Sequence, residues 1–235
     1  VMALALGAVT VGLLSSTFHL GHPERAWRAF SQWRSSWLSR EGVASCITYI
    51  PAAIFGIGWV FLGAVDGVWA FAGLIAALGS IVTVICTAYI YRSLKTIPSW
   101  YNNWVVPNYV ALSQMTGALL FAALSDLFGY RLPGLYSIAI ATIIAAAVCK
   151  LGYWRHIDSA APKSTLNTAT GLPGNVRLFE APHTSENYLM KEMGYRIARK
   201  HAQKLRQIAV VLAFLIPAGL IAVASLTGGV LPAVC

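Results

Sequence analysis

Six long apolar runs follow one another along this chain: Met2–Phe18, Val43–Ala64, Trp69–Tyr91, Val105–Leu127, Gly134–Trp154 and Gln207–Leu226. Each is close to the length that a helix needs to cross a bilayer. None alternates polar and apolar residues with the period of a barrel strand, so the backbone must satisfy its own hydrogen bonds as helix. Charged residues make up only 11% of the sequence and hydrophobic ones 57%, whereas a soluble domain is about a quarter charged. The expectation is an all-α polytopic transmembrane helix bundle, one domain over residues 1–235. Thr227-Gly228-Gly229 then turns the chain into Val230–Cys235, which reads as the start of a further span. The chain also opens within apolar sequence, so residues upstream are expected, and seven or eight helices in all.

The connections are unequal. Short turns around Val65-Asp66-Gly67 and Gly129–Pro133 lie at one end of the bundle and force antiparallel neighbours. Long polar segments, 19–42, 92–104 and 155–206, lie at the other. Of the 17 Lys and Arg residues, only Arg131 falls at the end with the short turns, beside Asp66 and Asp126. A net charge of +9 distributed in this way reports membrane topology, not nucleic-acid binding. By the positive-inside rule the end bearing His19 faces the cytoplasm.

That end carries the densest chemistry. Residues 19–42 combine His19, His22, Glu24 and Glu41 with Arg25, Arg28, Arg34 and Arg40 and with Trp27, Trp33 and Trp37. Arg and Trp are ordinary interfacial anchors. The histidines and carboxylates go beyond what anchoring requires. His22-Pro23 breaks the first helix, and Pro23–Trp37 is expected to form a short surface helix. A second patch, Tyr91–Tyr101, returns to the same end, so the two can meet. Residues 155–184 read as loop and Ser185–His201 as an amphipathic surface helix. Pro217 is expected to kink the last span. Asn108 and Gln114 need internal partners and read as interhelical glue, with ligand contact as the alternative, while Cys46, Cys86, Cys149 and Cys235 read as small packing residues.

The inventory narrows the chemistry. No cysteine pair has cluster-ligand spacing, and His19, His22, His156, His183 and His201 all lie in loops or at interfaces, so the chain is expected to hold neither an iron–sulfur cluster nor haem. No repeat marks a transporter, although a small solute transporter stays as an alternative, as does a purely structural docking anchor. Quinone or quinol chemistry accounts for what is left. It needs a group that titrates near neutrality, apolar walls for the ring and a route to water. His19 supplies the first, Trp and Tyr residues the second, and Glu41 or Glu24 the third.

His19-Leu20-Gly21-x-Pro23-x-Arg25-Ala26 followed by an aromatic residue, then Trp37-Leu38-Ser39-Arg40-Glu41, and later Tyr91-x-Ser93-Leu94-x-Thr96-Ile97-Pro98-Ser99-Trp100-Tyr101, resemble the membrane anchor subunits of the dimethyl sulfoxide reductase type. The resemblance implies a non-catalytic or quinone-site subunit in a bacterial inner membrane. Its implied partners are an iron–sulfur subunit and a molybdopterin catalytic subunit, with the redox centres in those proteins and ubiquinone or menaquinone as the diffusible ligand. The family's functional histidine corresponds to His19; Glu41, Arg92, Trp100 and Tyr101 would shape the quinone site. Glu41 is expected to pair with Arg40 or Arg92 or to lead protons onward. Arg25, Arg28, Arg196, Arg199 and Lys200 would form the docking face. The usual anchor of this type has its His-Leu-Gly end outside, against the charge reading here. The basic stretch Tyr188–Arg206 is similar to the cytoplasm-facing sulfite dehydrogenase branch, which passes electrons from sulfite to quinone.

Overall fold

The computed structural model describes residues 2–18, 21–130, 132–160, 164–180, 185, 188, 190 and 194–227. His19, Arg131 and the tail Val230–Cys235, all singled out from the sequence, lie outside them. Among the described residues the chain is all helical: α1 (Met2–Thr17), a 3-10 helix (Pro23–Gln32), α2 (Trp37–Phe61), α3 (Gly67–Arg92), α4 (Val105–Leu127), α5 (Pro133–Ser159), α6 (Leu166–Thr170), α7 (Arg196–Lys200), α8 (Ala202–Val210) and α9 (Ile216–Thr227). A π turn, Val211–Leu215, fuses α8 and α9 into one rod. Among the described residues five apolar helices have membrane-spanning length: α2, α3, α4, α5 and the α8–α9 rod. The first run forms an apolar helix over Met2–Thr17.

Several boundaries differ from the hydrophobic runs, for local reasons. Ser36 is extended and its hydroxyl accepts from the Ser39 backbone N–H, which caps α2 and starts it at Trp37 instead of Val43. Glu41 is therefore on a helix and not in a loop. At the other end of the same face, α5 continues through His156 to Ser159. Just before Pro217 the span widens into a π turn, where Ile216 N–H reaches back to the Val211 carbonyl. The surface helix after Pro23 is tighter and shorter than expected, a 3-10 segment ending at Gln32. Ser39, buried at the start of α2, ties it down by a hydroxyl bond to the Ala29 carbonyl. The amphipathic helix expected over Ser185–His201 is only partly within the described residues. There, α7 ends at Lys200 and α8 begins at Ala202.

The helices pack in sequence order: α2 on α3, α3 on α4, α4 on α5, and the α8–α9 rod on α5. The turns force this, with Gly63 and Gly129 supplying the positive φ of 63° and 78° that ends α2 and α4. Small residues carry the contacts, since lipid-embedded helices gain by close backbone approach and not by excluding water. Ala122, Ala139 and Ile221 close around Tyr136, and Ala146 sits among Met115, Ile143 and Phe214. The Tyr136 hydroxyl donates to Asp126 at 2.7 Å, giving that turn carboxylate a structural partner. Large apolar side chains such as Phe71, Leu78, Leu120 and Val148 cover the outside, as a bilayer requires. Cys86 is buried and Cys149 half-buried, as packing residues should be, whereas Cys46 faces outward.

One glycine makes the α2–α3 register testable. A Cβ on Gly79 would sit 2.5 Å from Thr48 Oγ1 and 3.2 Å from its methyl carbon. Gly79→Val should therefore separate the helices and cost about 1–3 kcal/mol. The thermal midpoint of the purified protein in detergent should fall; an unchanged midpoint would mean that the two helices do not meet in this register.

Candidate functional site

Antiparallel packing brings the N-termini of α2, α4 and α8 together with the C-termini of α3 and α5. The two aromatic and basic patches meet at this end. Trp37 of α2 stacks on Tyr89 of α3, with ring centroids 4.4 Å apart. The Arg40 guanidinium lies over Trp37 at 4.2 Å and Arg92 over Tyr89 at 5.1 Å, so two cations bracket the ring pair. Such a stack clamps α2 to α3 without any carboxylate.

The expected ion pair of Glu41 with Arg40 or Arg92 is not what forms. Arg40 donates to the Trp33 and Arg34 carbonyls, closing the preceding loop. Arg92 donates to the Tyr89 hydroxyl and to Asn103 Oδ1, tying α3 to the loop that leads into α4. Glu41, one turn into α2, instead meets Thr87: Glu41 Oε1 is 2.6 Å from Thr87 Oγ1. The same hydroxyl is 3.0 Å from the Thr83 carbonyl. The ionised carboxylate accepts a hydrogen bond from the hydroxyl. A protonated Glu41 can donate to Thr87 while Thr87 turns to Thr83, so both protonation states are satisfied.

Thr87 is also part of a cavity wall. Between α3, α4 and α5 lies a space of about 590 Å³ lined by Thr87, Tyr91, Trp100, Asn108, Tyr109, Lys150, Tyr153 and neighbours reaching to Thr116. Its volume is that of a small-molecule site. From Val105 to Thr116 it extends roughly 16 Å along α4 at 1.5 Å per residue, well below the helix ends. Tyr91 and Tyr109 stack at 5.7 Å, and Trp100 meets Tyr91 edge-on at 5.2 Å. Aromatic rings, aliphatic side chains, hydroxyls, an amide and an amine all line the space.

Of the residues proposed from sequence, Trp100 lines this space and Glu41 reaches it through Thr87. Arg92 and Tyr101 are beside it but not among its lining residues, and His19 lies outside the described residues. Arg25 is 3.7 Å from Glu24, which also meets His22 at 3.1 Å. Arg28 covers Trp27, and Arg199 and Lys200 are exposed on α7; the Arg196 side chain lies outside the described residues. Arg206 makes a bidentate pair with Asp158 at 2.6 and 2.9 Å, joining α8 to α5.

Lys150 lines this space and is not among the candidates that the sequence offers. Lys150 is a lone cation within an apolar span and was counted with the basic end; that isolation was itself the signal. Its Nζ lies 5.3 Å from the ring centres of Tyr153 and Trp154. Asn108 does act as interhelical glue, its Nδ2 donating to Trp104 O at 2.8 Å and, across to α5, to Cys149 O at 3.0 Å. Its Oδ1, however, is buried with no partner. A second space of about 600 Å³ at the opposite end is lined mainly by Trp59, Phe121, Phe128, Tyr130 and other apolar side chains. Its polar lining is Ser125 and Tyr130.

Five helices of membrane-spanning length among the described residues, packed side by side, define a multi-pass integral membrane protein. The profile of the DMSO reductase anchor subunit (DmsC) family matches residues 1–228, and the protein belongs to that family. It is 30% identical to the C subunit of the sulfite dehydrogenase of Allochromatium vinosum, over 96% of its own length and 73% of that protein's. It is 26% identical to the DmsC-type chain of the anaerobic dimethyl sulfoxide reductase of Escherichia coli, over 59% of its own length and 49% of that protein's. No solved structure gives a significant match.

Proposed function

We propose that this chain is the quinone-reactive anchor of a membrane molybdoenzyme, exchanging electrons between an iron–sulfur partner subunit and the quinone pool. The observation that carries the reading is the cavity between α3, α4 and α5. It opens among membrane helices, offers stacked aromatic walls to a planar ring, and lies at the end where the basic loops would meet a partner. Arg25, Arg28, Arg196, Arg199 and Lys200 serve as the electrostatic landing surface for that partner.

Reducing a quinone to a quinol takes two electrons and two protons. In this account the electrons arrive from the partner's iron–sulfur clusters, and the molybdopterin centre lies beyond them in the catalytic subunit. The protons come from water through this chain. His19, two residues past α1, is the donor named by the resemblance. Glu41, held at Thr87 on the cavity rim, is the second proton carrier. Trp100 and the Tyr91–Tyr109 pair hold the ring, while Arg92 and Tyr101 shape the loop above it. The excess of basic residues at this end supports a cytoplasmic orientation in a bacterial inner membrane. Together with the likeness to the sulfite dehydrogenase protein of A. vinosum, it favours sulfite as the electron source.

The test is purification of the chain from its native membranes with whatever subunits accompany it. The expected preparation contains molybdenum and iron and reduces quinone with sulfite. Both metals without sulfite activity would keep the anchor and overturn the sulfite branch. Absence of both metals, with solute flux into vesicles, would replace the reading by a transporter.

A further inference from the structure

The α8–α9 rod changes character along one face where it meets α5. Gln203, Arg206 and Gln207, then Val210 and Val211, follow one another at helical spacing, and with Trp154 of α5 they line a groove of about 340 Å³. From Gln203 to Val211 the groove runs roughly 12 Å along the rod at 1.5 Å per residue. Its polar end lies with the basic loops, and its apolar end lies deeper along the membrane-length rod. It shares no lining residue with the cavity between α3, α4 and α5.

The walls are held in place without using up their donors. Arg206 pairs with Asp158 at 2.6 and 2.9 Å, which fixes α8 on α5. That pair engages two of the guanidinium's N–H groups and leaves the others for a second acceptor. The guanidinium carbon lies 5.4 Å from the centre of the Trp154 ring, and Lys150 Nζ lies 5.3 Å from the same ring. The Gln203 and Gln207 amides are exposed and make no hydrogen bond to the described residues. Residues 150–159, α7 and α8 carry Lys150, Arg155, Arg199, Lys200, Lys204 and Arg206 against one carboxylate, Asp158, whose charge Arg206 already matches.

A lining in two parts selects an amphiphile. A soluble anion would leave the valines uncovered, and an apolar solute would leave the guanidinium and the amides unmatched. We propose that the groove between α5 and α8 binds one anionic phospholipid of the surrounding leaflet, its headgroup on Gln203, Arg206 and Gln207 and an acyl chain on Val210 and Val211. The phosphate and ester oxygens are several acceptors spread over the headgroup region, so the three donors need not meet at one point. The surplus of cations favours a headgroup of net negative charge over a zwitterion. Trp154 stands beside the step from headgroup to chain, where an indole is favoured. The lipid lies next to the ion pair that joins the last span to the bundle and bridges the same two helices.

Native mass spectrometry of the assembled complex in detergent, with phosphatidylglycerol and phosphatidylcholine of the same chains added together, tests the site. Wild type should retain phosphatidylglycerol in preference. Gln203→Glu combined with Gln207→Glu keeps side-chain size and the Arg206–Asp158 pair while placing negative charge on the headgroup wall. It should weaken phosphatidylglycerol about tenfold and phosphatidylcholine by less. Arg199→Gln with Lys200→Gln, on the exposed surface of α7, should change retention by no more than about twofold. Equal retention of the two lipids by wild type, an unchanged preference in the glutamate variant, or displacement by glycerol phosphate as readily as by the lipid would overturn the site. Loss of the partner subunits from the glutamate variant with its lipid retained would make the groove a protein contact and overturn it as well.

Discussion

Ser113→Trp is expected to abolish quinone-linked turnover in the assembled complex while leaving the soluble subunits active with an artificial electron dye. Ser113 lies on the cavity wall, one turn from Tyr109. An indole at this position would occupy the space between the aromatic pair and Lys150, so a ring of quinone size could not enter. The expected loss is at least ~100-fold in kcat/KM, the scale that follows when roughly 3 kcal/mol of binding is denied. Dye-linked activity should change by no more than about twofold, because the redox centres of this account lie in the partner subunits. Ser113→Ala, which removes only a hydroxyl bonded to Val110 O, should stay close to wild type. If Ser113→Trp turned over quinone normally, this cavity would not be the site.

His19→Ala should produce the second large effect. A positioned acid or base contributes about 10²–10⁴-fold, so quinone-linked turnover should fall by that order with dye-linked activity retained. His19 is two residues past the end of α1, and the ordinary titration range of histidine, near neutrality, suits it to pass protons between water and the ring. His22 provides the internal control, since it already meets Glu24 at 3.1 Å on an exposed loop and should tolerate replacement. A parallel fall of dye and quinone activities in His19→Ala would make the residue structural.

Much of the architecture could be read from the chain. Charge placed the basic end and loop length dictated antiparallel neighbours, so the meeting of Trp37 with the end of α3 was foreseeable. Where each side chain points was not. Membrane helices are apolar on every side, and the 3.6-residue pattern that reveals the inner face of a soluble helix is missing. Glu41 shows the consequence. Hydropathy put it in a loop beside arginines, but the Ser36 cap adds more than a turn to α2 and aims the carboxylate at Thr87. Asn108 shows another. Its need for a partner was legible, but the sequence could not reveal that the amide nitrogen would satisfy two carbonyls and leave the oxygen with none. Lys150 was visible as a charge in an apolar run, yet only the packing of α4 on α5 shows what it faces.

The central claim is that quinone binds between α3, α4 and α5. Photolabelling of the intact complex with an azido-quinone, followed by mapping of the modified peptides, tests it most directly. The account predicts adducts within residues 87–116 and 149–154, suppressed by excess unlabelled quinone and by Ser113→Trp. Competable label confined to the opposite cavity around Trp59, Phe121 and Tyr130, or to the partner subunits, would contradict it.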